Sequence, residues 1–212
     1  MKKGLYLPLV LSFVTIISCG GGDSNSATNA EEAYIVGGQF VAVATGSLPT
    51  VSSLDSNSMY QQDVAYTWGP YSCETGGTFE FNGTNYYDDP SAEGSWKYTY
   101  DVTLDNCKGY DSMCGTGEEF TLNGTPTLTY EYRVDTHTYT ISFGGDYSYT
   151  GPISGTCAMD FSLVFTEVPE TGVASYSSSS GTMCGYSMAD IEAMEDSGVD
   201  YCETLEDAIA AN

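Results

Sequence analysis

Apolar and polar residues alternate along several segments of the chain. From Trp96 to Leu104, one set of alternate positions is Trp, Tyr, Tyr, Val and Leu, and the other set is Lys, Thr, Asp and Thr. The same two-residue period returns in 127–134, 138–143 and 159–166. Because successive side chains of a strand point to opposite faces, this period predicts antiparallel strands with one face on a core and one in water.

Short sequences rich in Gly and Asn predict the turns between such strands. Asn82-Gly83, Asn123-Gly124 and Gly144-Gly145-Asp146 contain residues that adopt left-handed backbone conformations readily. Residues 134–137 are predicted to join two strands as a hairpin, and the Ser- and Gly-rich run 171–182 is predicted to be a loop.

An internal repeat accompanies the strand pattern. Residues 73–84 align without gaps on residues 114–125, and seven of the twelve positions are identical. Each copy is followed by a Tyr-rich alternating segment, so we expect a hairpin unit stacked beside its copy. The predicted fold is therefore mainly β, an antiparallel meander, sandwich or barrel-like sheet with an internal hairpin repeat.

The C-terminal part changes from strand to helix patterns. Ser187 precedes Asp190 by three residues, as in a capping box, and Thr204 precedes Asp207 in the same way. The sequence therefore predicts two short C-terminal helices in a helical tail, 187–212.

The N-terminus has the form of a secretory signal. Lys2 and Lys3 precede a nearly continuous apolar run, 5–17, that is too short to span a bilayer comfortably as a permanent helix. A small, polar run rich in Gly, Ser and Asn follows, at 20–29. This composition is typical of a flexible tether.

The end of the apolar run is Ile16-Ile17-Ser18-Cys19. This sequence resembles the lipobox of bacterial lipoprotein precursors. The resemblance implies that signal peptidase II cuts before Cys19 and that Cys19 carries a diacylglycerol thioether. It also implies attachment to the outer membrane, because Gly20 stands where an Asp commonly retains such proteins in the inner membrane. No family is recognised for the remainder of the chain.

These observations divide the chain into three parts. Residues 1–18 are a predicted lipoprotein signal peptide, 19–32 a lipid-anchored tether, and 33–212 a single disulfide-stabilised β-domain with repeat units near 73 and 114. Six cysteines remain after Cys19, and an even number in an exported chain favours disulfides over a zinc site. These six cysteines are Cys73, Cys107, Cys114, Cys157, Cys184 and Cys202.

Fifteen pairings of these six cysteines are possible in principle. Cys107 and Cys114 bracket a short loop, and Cys184 and Cys202 flank the first predicted C-terminal helix. These two pairs are therefore the candidates predicted here, they would leave Cys73 for Cys157, and the other pairings stay open.

The charge of the chain restricts its partners. The full sequence has a formal net charge of −24, with 29 acidic and 5 basic residues. After loss of residues 1–18, three basic residues remain against 29 acidic ones, a formal net charge of −26. Such a chain repels phosphates, so we expect no nucleic-acid partner and no docking on anionic lipid through a basic patch.

No catalytic motif is evident. His137 is the sole histidine, it lies among threonines beside a predicted turn, and no carboxylate pair stands out. The predicted function is therefore a non-enzymatic envelope lipoprotein, a binding or structural module at the surface or in the periplasm. The alternative is a carbohydrate-active or other hydrolytic envelope protein that uses carboxylates in a sheet groove.

Two ligand types are considered, and no cofactor is predicted beyond the lipid at Cys19. Clustered carboxylates near predicted turns offer oxygen ligands for calcium, although the spacing of known calcium loops is missing and a solvated acidic surface is favoured. These carboxylates belong to Asp88, Asp89, Asp105 and Asp111.

Aromatic side chains that could stack on sugar rings suggest a glycan partner, with a protein partner in the envelope as the other option. The candidates are Trp68, Tyr86 and Tyr87. Packing in the sheet core is the favoured role of the alternating aromatics, because Trp96 falls on the apolar face of its strand.

Overall fold

A computed structural model describes residues 30–46, 64–87, 94–111, 113–169, 171–197 and 201–211. The signal peptide, Cys19 and most of the predicted tether lie outside these ranges. Among the described residues, no helix has the length and apolar character needed to cross a membrane. The helices are α1 (Ala30–Gly46), α2 (Met188–Asp196) and α3 (Tyr201–Ala211). The strands are β1 (Val64–Ser72), β2 (Gly76–Tyr87), β3 (Trp96–Tyr110), β4 (Glu119–Gly124), β5 (Thr127–Arg133), β6 (Thr138–Thr150), β7 (Gly155–Val168), β8 (Val173–Met183) and β9 (Tyr186–Ser187).

The nine strands within the described ranges form one antiparallel sheet. Strands β1, β2 and β3 follow one another, and β6, β7, β8 and β9 do the same. Between them, β4 and β5 share one position, because both pair with β3 on one side and with β6 on the other. The mainly β, antiparallel prediction is confirmed.

The alternating segments are strands, and their faces are the predicted ones. In β3, the side chains of Tyr98, Tyr100, Val102 and Leu104 are buried, and the residues between them are exposed or half-buried. We call the face with the buried side chains the inner face and the opposite one the outer face. On the outer face, hydroxyl groups of neighbouring strands bond to each other, as Ser142 does to Ser162 at 2.7 Å.

Helix α1 was not predicted from the sequence. It begins at Ala30, so the predicted tether boundary at residue 32 falls inside it. Gly37 and Gly38 allow the helix to approach its neighbours closely. A Cβ on Gly37 would lie 2.0 Å from Sδ of Met183, and one on Gly38 would lie 2.6 Å from Cε of Met113.

Helix α1 packs on the inner face of the sheet. The ring of Phe40 lies 6.1 Å from that of Phe143 and 5.3 Å from that of Tyr147. The Tyr147 hydroxyl donates a hydrogen bond of 2.7 Å to the carbonyl oxygen of Val36. Rings and backbone together therefore fix the helix over the β6 strand.

Three of the four predicted turns are wrong. Asn82-Gly83 lies within β2, Gly144-Gly145-Asp146 lies within β6, and Asn123-Gly124 ends β4 without forming a hairpin. Gly83 is instead a point of close approach, because a Cβ there would lie 1.9 Å from the carbonyl oxygen of Thr99. The turn at 134–137 is confirmed, with Arg133 opposite Thr138.

The repeat has a different structural meaning from the predicted one. Its two copies contribute β2 and β4, which pair with the opposite edges of β3. Phe79 and Phe120 occupy equivalent positions in the copies, and both are buried. The repeat therefore encodes two similar strands on either side of β3 rather than two hairpins.

The predicted loop at 171–182 is also wrong, since it is mostly strand β8. Its serines are largely exposed, so the side chains gave no alternating apolar signal. The strand is held by its ladder to β7, which runs from Met159 opposite Met183 to Val168 opposite Val173.

The two predicted C-terminal helices are present. The hydroxyl of Ser187 accepts a hydrogen bond of 3.1 Å from the backbone N–H of Asp190, as expected for the cap of α2. Helix α3 begins at Tyr201, so Thr204 lies inside the helix and not at its cap.

All three predicted disulfide pairings are wrong. The structure pairs Cys73 with Cys107 and Cys157 with Cys184. Register explains the first pair, since Gly76 lies opposite Lys108 and brings the residues next to them together. Cys114 and Cys202 are disulfide-bonded as well.

Candidate functional site

A row of aromatic side chains crosses the inner face at one end of the sheet. Each member is the register partner of the next on β3, β5, β6, β7 and β8. We call this set the aromatic row. Its members are Trp96, Tyr132, Tyr139, Phe165 and Tyr176.

The rings of the aromatic row contact one another in two groups, one on β3, β5 and β6 and the other on β7 and β8. The Tyr132 and Tyr139 centroids are 4.5 Å apart, and that of Trp96 lies 6.0 Å from Tyr132. Phe165 and Tyr176 are 5.9 Å apart. Four members are half-buried, and Tyr176 is 38% exposed. The row therefore borders solvent, unlike the fully buried rings beneath α1.

Polar groups lie beside the row, on the side nearer the strand ends. A carboxylate oxygen of Glu167 accepts a hydrogen bond of 3.1 Å from the Tyr139 hydroxyl. The Tyr132 hydroxyl lies 3.4 Å from Nδ1 of His137. The backbone N–H of Glu167 donates to the carbonyl oxygen of His137 at 2.8 Å. Two hydroxyls, an imidazole and a carboxylate thus line one side of the ring surface.

The two tyrosines of this polar group favour their neutral form. Partial burial raises the pKa of Tyr139 and of Tyr132, and the nearby Glu167 carboxylate raises both further. Their hydroxyls therefore stay protonated at neutral pH and keep a hydrogen to donate.

The glycan candidates predicted from sequence are scattered by the fold. Trp68 is half-buried on the inner face, where its ring stacks on Tyr66 at 5.3 Å and meets the edge of Tyr100 at 5.1 Å. Tyr86 is 40% exposed and faces the other side of the sheet. For Tyr87 the structure describes the backbone alone, which pairs with Trp96. The row itself was missed because its members come from distant segments.

The calcium candidates do not form a common site among the described residues. Asp88 and Asp89 lie outside the description, and Asp105 accepts a hydrogen bond from the Asn106 side chain on β3. In the described part of the chain, no three His, Cys, Asp or Glu side chains lie close enough together to hold a metal ion.

Asp111 has a structural environment instead. It is buried, and its carboxylate accepts hydrogen bonds from the Gln39 side-chain amide at 2.8 Å and from the Met113 backbone N–H at 2.9 Å. The backbone N–H groups of Cys114 and Thr116 and the Thr116 hydroxyl add further donors. Oxygens occupied by N–H and O–H donors fix the loop to α1 and are poor cation ligands.

A cavity of about 230 Å³ opens beside the Cys73–Cys107 disulfide. Gln39 and Val43 of α1 line one side, and Phe79 and Tyr110 of the sheet are among the residues on the other. Glu74 also lines it, and its carboxylate accepts a hydrogen bond of 3.1 Å from the Tyr110 backbone.

The basic residues of the predicted mature chain are each paired with a carboxylate. The pairs are exposed, at nitrogen–oxygen distances of 3.6, 2.9 and 3.2 Å. They are Lys97–Glu131, Lys108–Glu119 and Arg133–Asp135. Within the described residues, Glu167 therefore has no cationic partner.

Comparison with known proteins found no similar protein. No protein-family model, no curated protein and no solved structure matches the chain.

Proposed function

We propose that the chain is a non-enzymatic, lipid-anchored module of the bacterial cell envelope, displayed from the outer membrane by acyl chains on Cys19. The observation that carries the proposal is the disulfide-bonded state of all six cysteines downstream of Cys19. Disulfides of this kind persist in oxidising compartments, which are the destination of a chain with a secretory signal.

The electrostatics of three described carboxyl groups fit a role without catalysis. A general acid at neutral pH needs a raised carboxyl pKa. The pKa of Glu119 is lowered by hydrogen bonds from Lys108 and Thr75. That of Asp135 is lowered by its hydrogen bond from Arg133, and that of Glu192 by those from Ser179 and Tyr176. These interactions stabilise ionised, permanently charged groups.

The sole histidine supports the same interpretation. Among the described residues, the His137 ring contacts the Tyr132 hydroxyl. The backbone of His137 has φ = 50° in the turn between β5 and β6. A nucleophile–base pair needs a Ser, Thr or Cys side chain within hydrogen-bond distance of the imidazole. The aromatic row is the surface that suits binding, since half-buried rings with a few polar groups are typical of ligand sites.

Lipidation of Cys19 tests the anchor. We expect the native chain, grown with an alkyne-labelled fatty acid, to take up label and to sediment with outer membranes, and Cys19→Ser to do neither. Intact-mass spectrometry of the extracted native protein should give the mass of a chain that begins at Cys19, with the mass of the acyl groups added. An unmodified Cys19 in a correctly exported chain would overturn the proposal.

A catalytic role is tested separately on the folded, oxidised domain. We expect no turnover of neutral or anionic polysaccharides, whether Glu167 is native or changed to Gln. Turnover that Glu167→Gln abolishes would favour the hydrolytic alternative predicted from the sequence.

A further inference from the structure

We propose that the aromatic row is a binding site for an uncharged glycan chain that runs across the strands. This inference rests on the proposed function, because it names the ligand of the envelope module. Three features of the molecule support it: the spacing of the rings, the polar groups beside them and the distribution of charge.

The spacing of the row suits a polymer of sugar rings. Neighbouring strands lie about 4.8 Å apart, so the four steps from Trp96 to Tyr176 cover about 19 Å. The repeat distance is similar to that of an extended, β-linked pyranose chain. Each strand therefore presents one aromatic ring for about one sugar residue, and the apolar faces of pyranoses pack on such rings.

Hydrogen-bonding groups for sugar hydroxyls lie along the same row. Glu167 is an acceptor, the neutral Tyr132 and Tyr139 are donors and acceptors, and His137 adds an imidazole. One step inward on the same face, the Tyr130 hydroxyl is buried and has no hydrogen-bond partner in the part of the chain that the structure describes. An unsatisfied buried hydroxyl is costly, and a bound water or a ligand hydroxyl that reached it would remove this cost.

The charges select against anionic glycans. Glu167 lies at the row, and the basic side chains Lys97, Lys108 and Arg133 are each engaged by another carboxylate. The rest of the chain is strongly acidic. A uronate or phosphate on the glycan would be repelled by this negative field, and the described residues offer no unpaired cation to bind it. A neutral sugar hydroxyl can donate a hydrogen bond to a carboxylate without this repulsion.

Calorimetric titration of the oxidised, full mature chain tests the site. The probes are a neutral β-linked hexasaccharide series (cellohexaose, laminarihexaose and β-mannohexaose), an oligogalacturonate and a glucosamine oligomer. We expect at least one neutral hexasaccharide to bind, the oligogalacturonate to bind less tightly than it, and binding to persist at high salt.

Variants locate the binding on the molecule. Trp96→Ala and Tyr176→Ala should each weaken the neutral ligand by roughly tenfold, as expected for loss of one stacked ring. Tyr176→Phe keeps the ring and should bind like the native chain. The matched control is Tyr86→Ala, which removes an equally exposed ring from the outer face and should leave affinity unchanged. Circular dichroism and urea unfolding verify that each variant is folded.

Several outcomes would overturn the inference. These are no binding of any neutral hexasaccharide, binding that the folded Tyr176→Ala variant retains in full, or binding of the glucosamine oligomer alone that salt abolishes. Concentration-dependent dimerisation that Tyr176→Ala removes would identify the row as a contact between copies instead. These measurements need only the folded domain. The glycan site can therefore be refuted while lipidation of Cys19 is confirmed, and lipidation can be refuted while glycan binding is confirmed.

Discussion

Two halves of the same inner face differ in what lies over them. At one half, α1 covers the sheet, so that Phe143 and Tyr147 are almost completely buried against Phe40. At the other half, the aromatic row is only half-buried and ends at Tyr176, which is 38% exposed. The strands β3, β5, β6 and β7 have the same alternation in sequence in both halves. Alternation in sequence therefore identifies a face of a sheet but not what covers that face.

The largest expected effect is on the covered half. Phe40→Ala removes a fully buried ring between α1 and the sheet and should lower the free energy of unfolding by about 3–5 kcal/mol. The matched change on the aromatic row, Phe165→Ala, should cost about 1–2 kcal/mol, because Phe165 is half-buried. Urea unfolding of the oxidised proteins measures both. Equal costs would contradict the distinction between the halves.

The Cys157–Cys184 disulfide should matter next. It closes a sequence separation of 27 residues, and Sγ of Cys184 contacts the Ala33 carbonyl oxygen of α1 at 3.6 Å. Replacing both cysteines with Ala should cost about 3–4 kcal/mol. Thermal unfolding under non-reducing conditions checks the value, and no change in melting temperature would show that the bond does not constrain the covered half.

Alkaline pH should weaken the covered half through Tyr149. Burial, with a smaller contribution from Glu32, raises the pKa of Tyr149 to about 12 from an ordinary value of 10. Because the unfolded chain releases the Tyr149 proton near pH 10 and the folded chain holds it up to about pH 12, stability falls as the pH rises from 10 to 12 and is unaffected below pH 10. The shift corresponds to about 2–3 kcal/mol.

Tyr149→Phe is the control for this pH dependence. Among the described residues, the Tyr149 hydroxyl has no hydrogen-bond partner, so the variant should be as stable as the native chain at pH 8. Its stability should then fall less between pH 10 and 12. An identical alkaline loss in the variant would show that other groups cause it.

A smaller effect separates two buried tyrosine hydroxyls, one in each half. Tyr147→Phe removes the hydrogen bond to Val36 and should cost about 1 kcal/mol. Tyr130→Phe removes a hydroxyl without a partner and should be neutral or slightly stabilising. Urea midpoints of the two variants, with unchanged slopes, provide the test. A costly Tyr130→Phe would point to a partner already satisfying that hydroxyl.

The smallest effect belongs to the outer face. Lys97→Ala breaks an exposed ion pair with Glu131 at 3.6 Å and should change stability by less than about 0.5 kcal/mol. The change should affect neither half of the inner face. A large loss would show that outer-face charges contribute to the packing of Trp96 beside them.

The sequence permits prediction of the strands that alternate apolar and polar residues, but not of the Ser-rich strand β8 or of the assembly of the sheet. The alternation in β3 follows from one strand alone, so its buried residues could be predicted. The Asn-Gly pairs were mistaken for turns because the close approach of Thr99 to Gly83 depends on a neighbouring strand. The disulfide partners depend in the same way on the register of β2 and β3.

The candidate site depends even more on assembly. Trp96 and Tyr176 are 80 positions apart in sequence, and four successive strand registers bring them into one row. Each of the four members on β3, β5, β6 and β7 taken alone has the pattern of an ordinary core residue, and Tyr176 lies in the Ser-rich segment that was predicted to be a loop. Helix α1 escaped notice for a related reason, since most of its faces are apolar or small and show no clear helical period.

Fluorescence of Trp96 tests the central claim most directly. Trp68→Phe leaves Trp96 as the single tryptophan, so its emission and its quenching by acrylamide report on the aromatic row alone. We expect acrylamide to quench Trp96 partially in the free protein. We expect less quenching once the neutral hexasaccharide that binds is added to saturation. A Trp96 that acrylamide cannot reach, or one whose quenching is unchanged by saturating sugar, would contradict this claim.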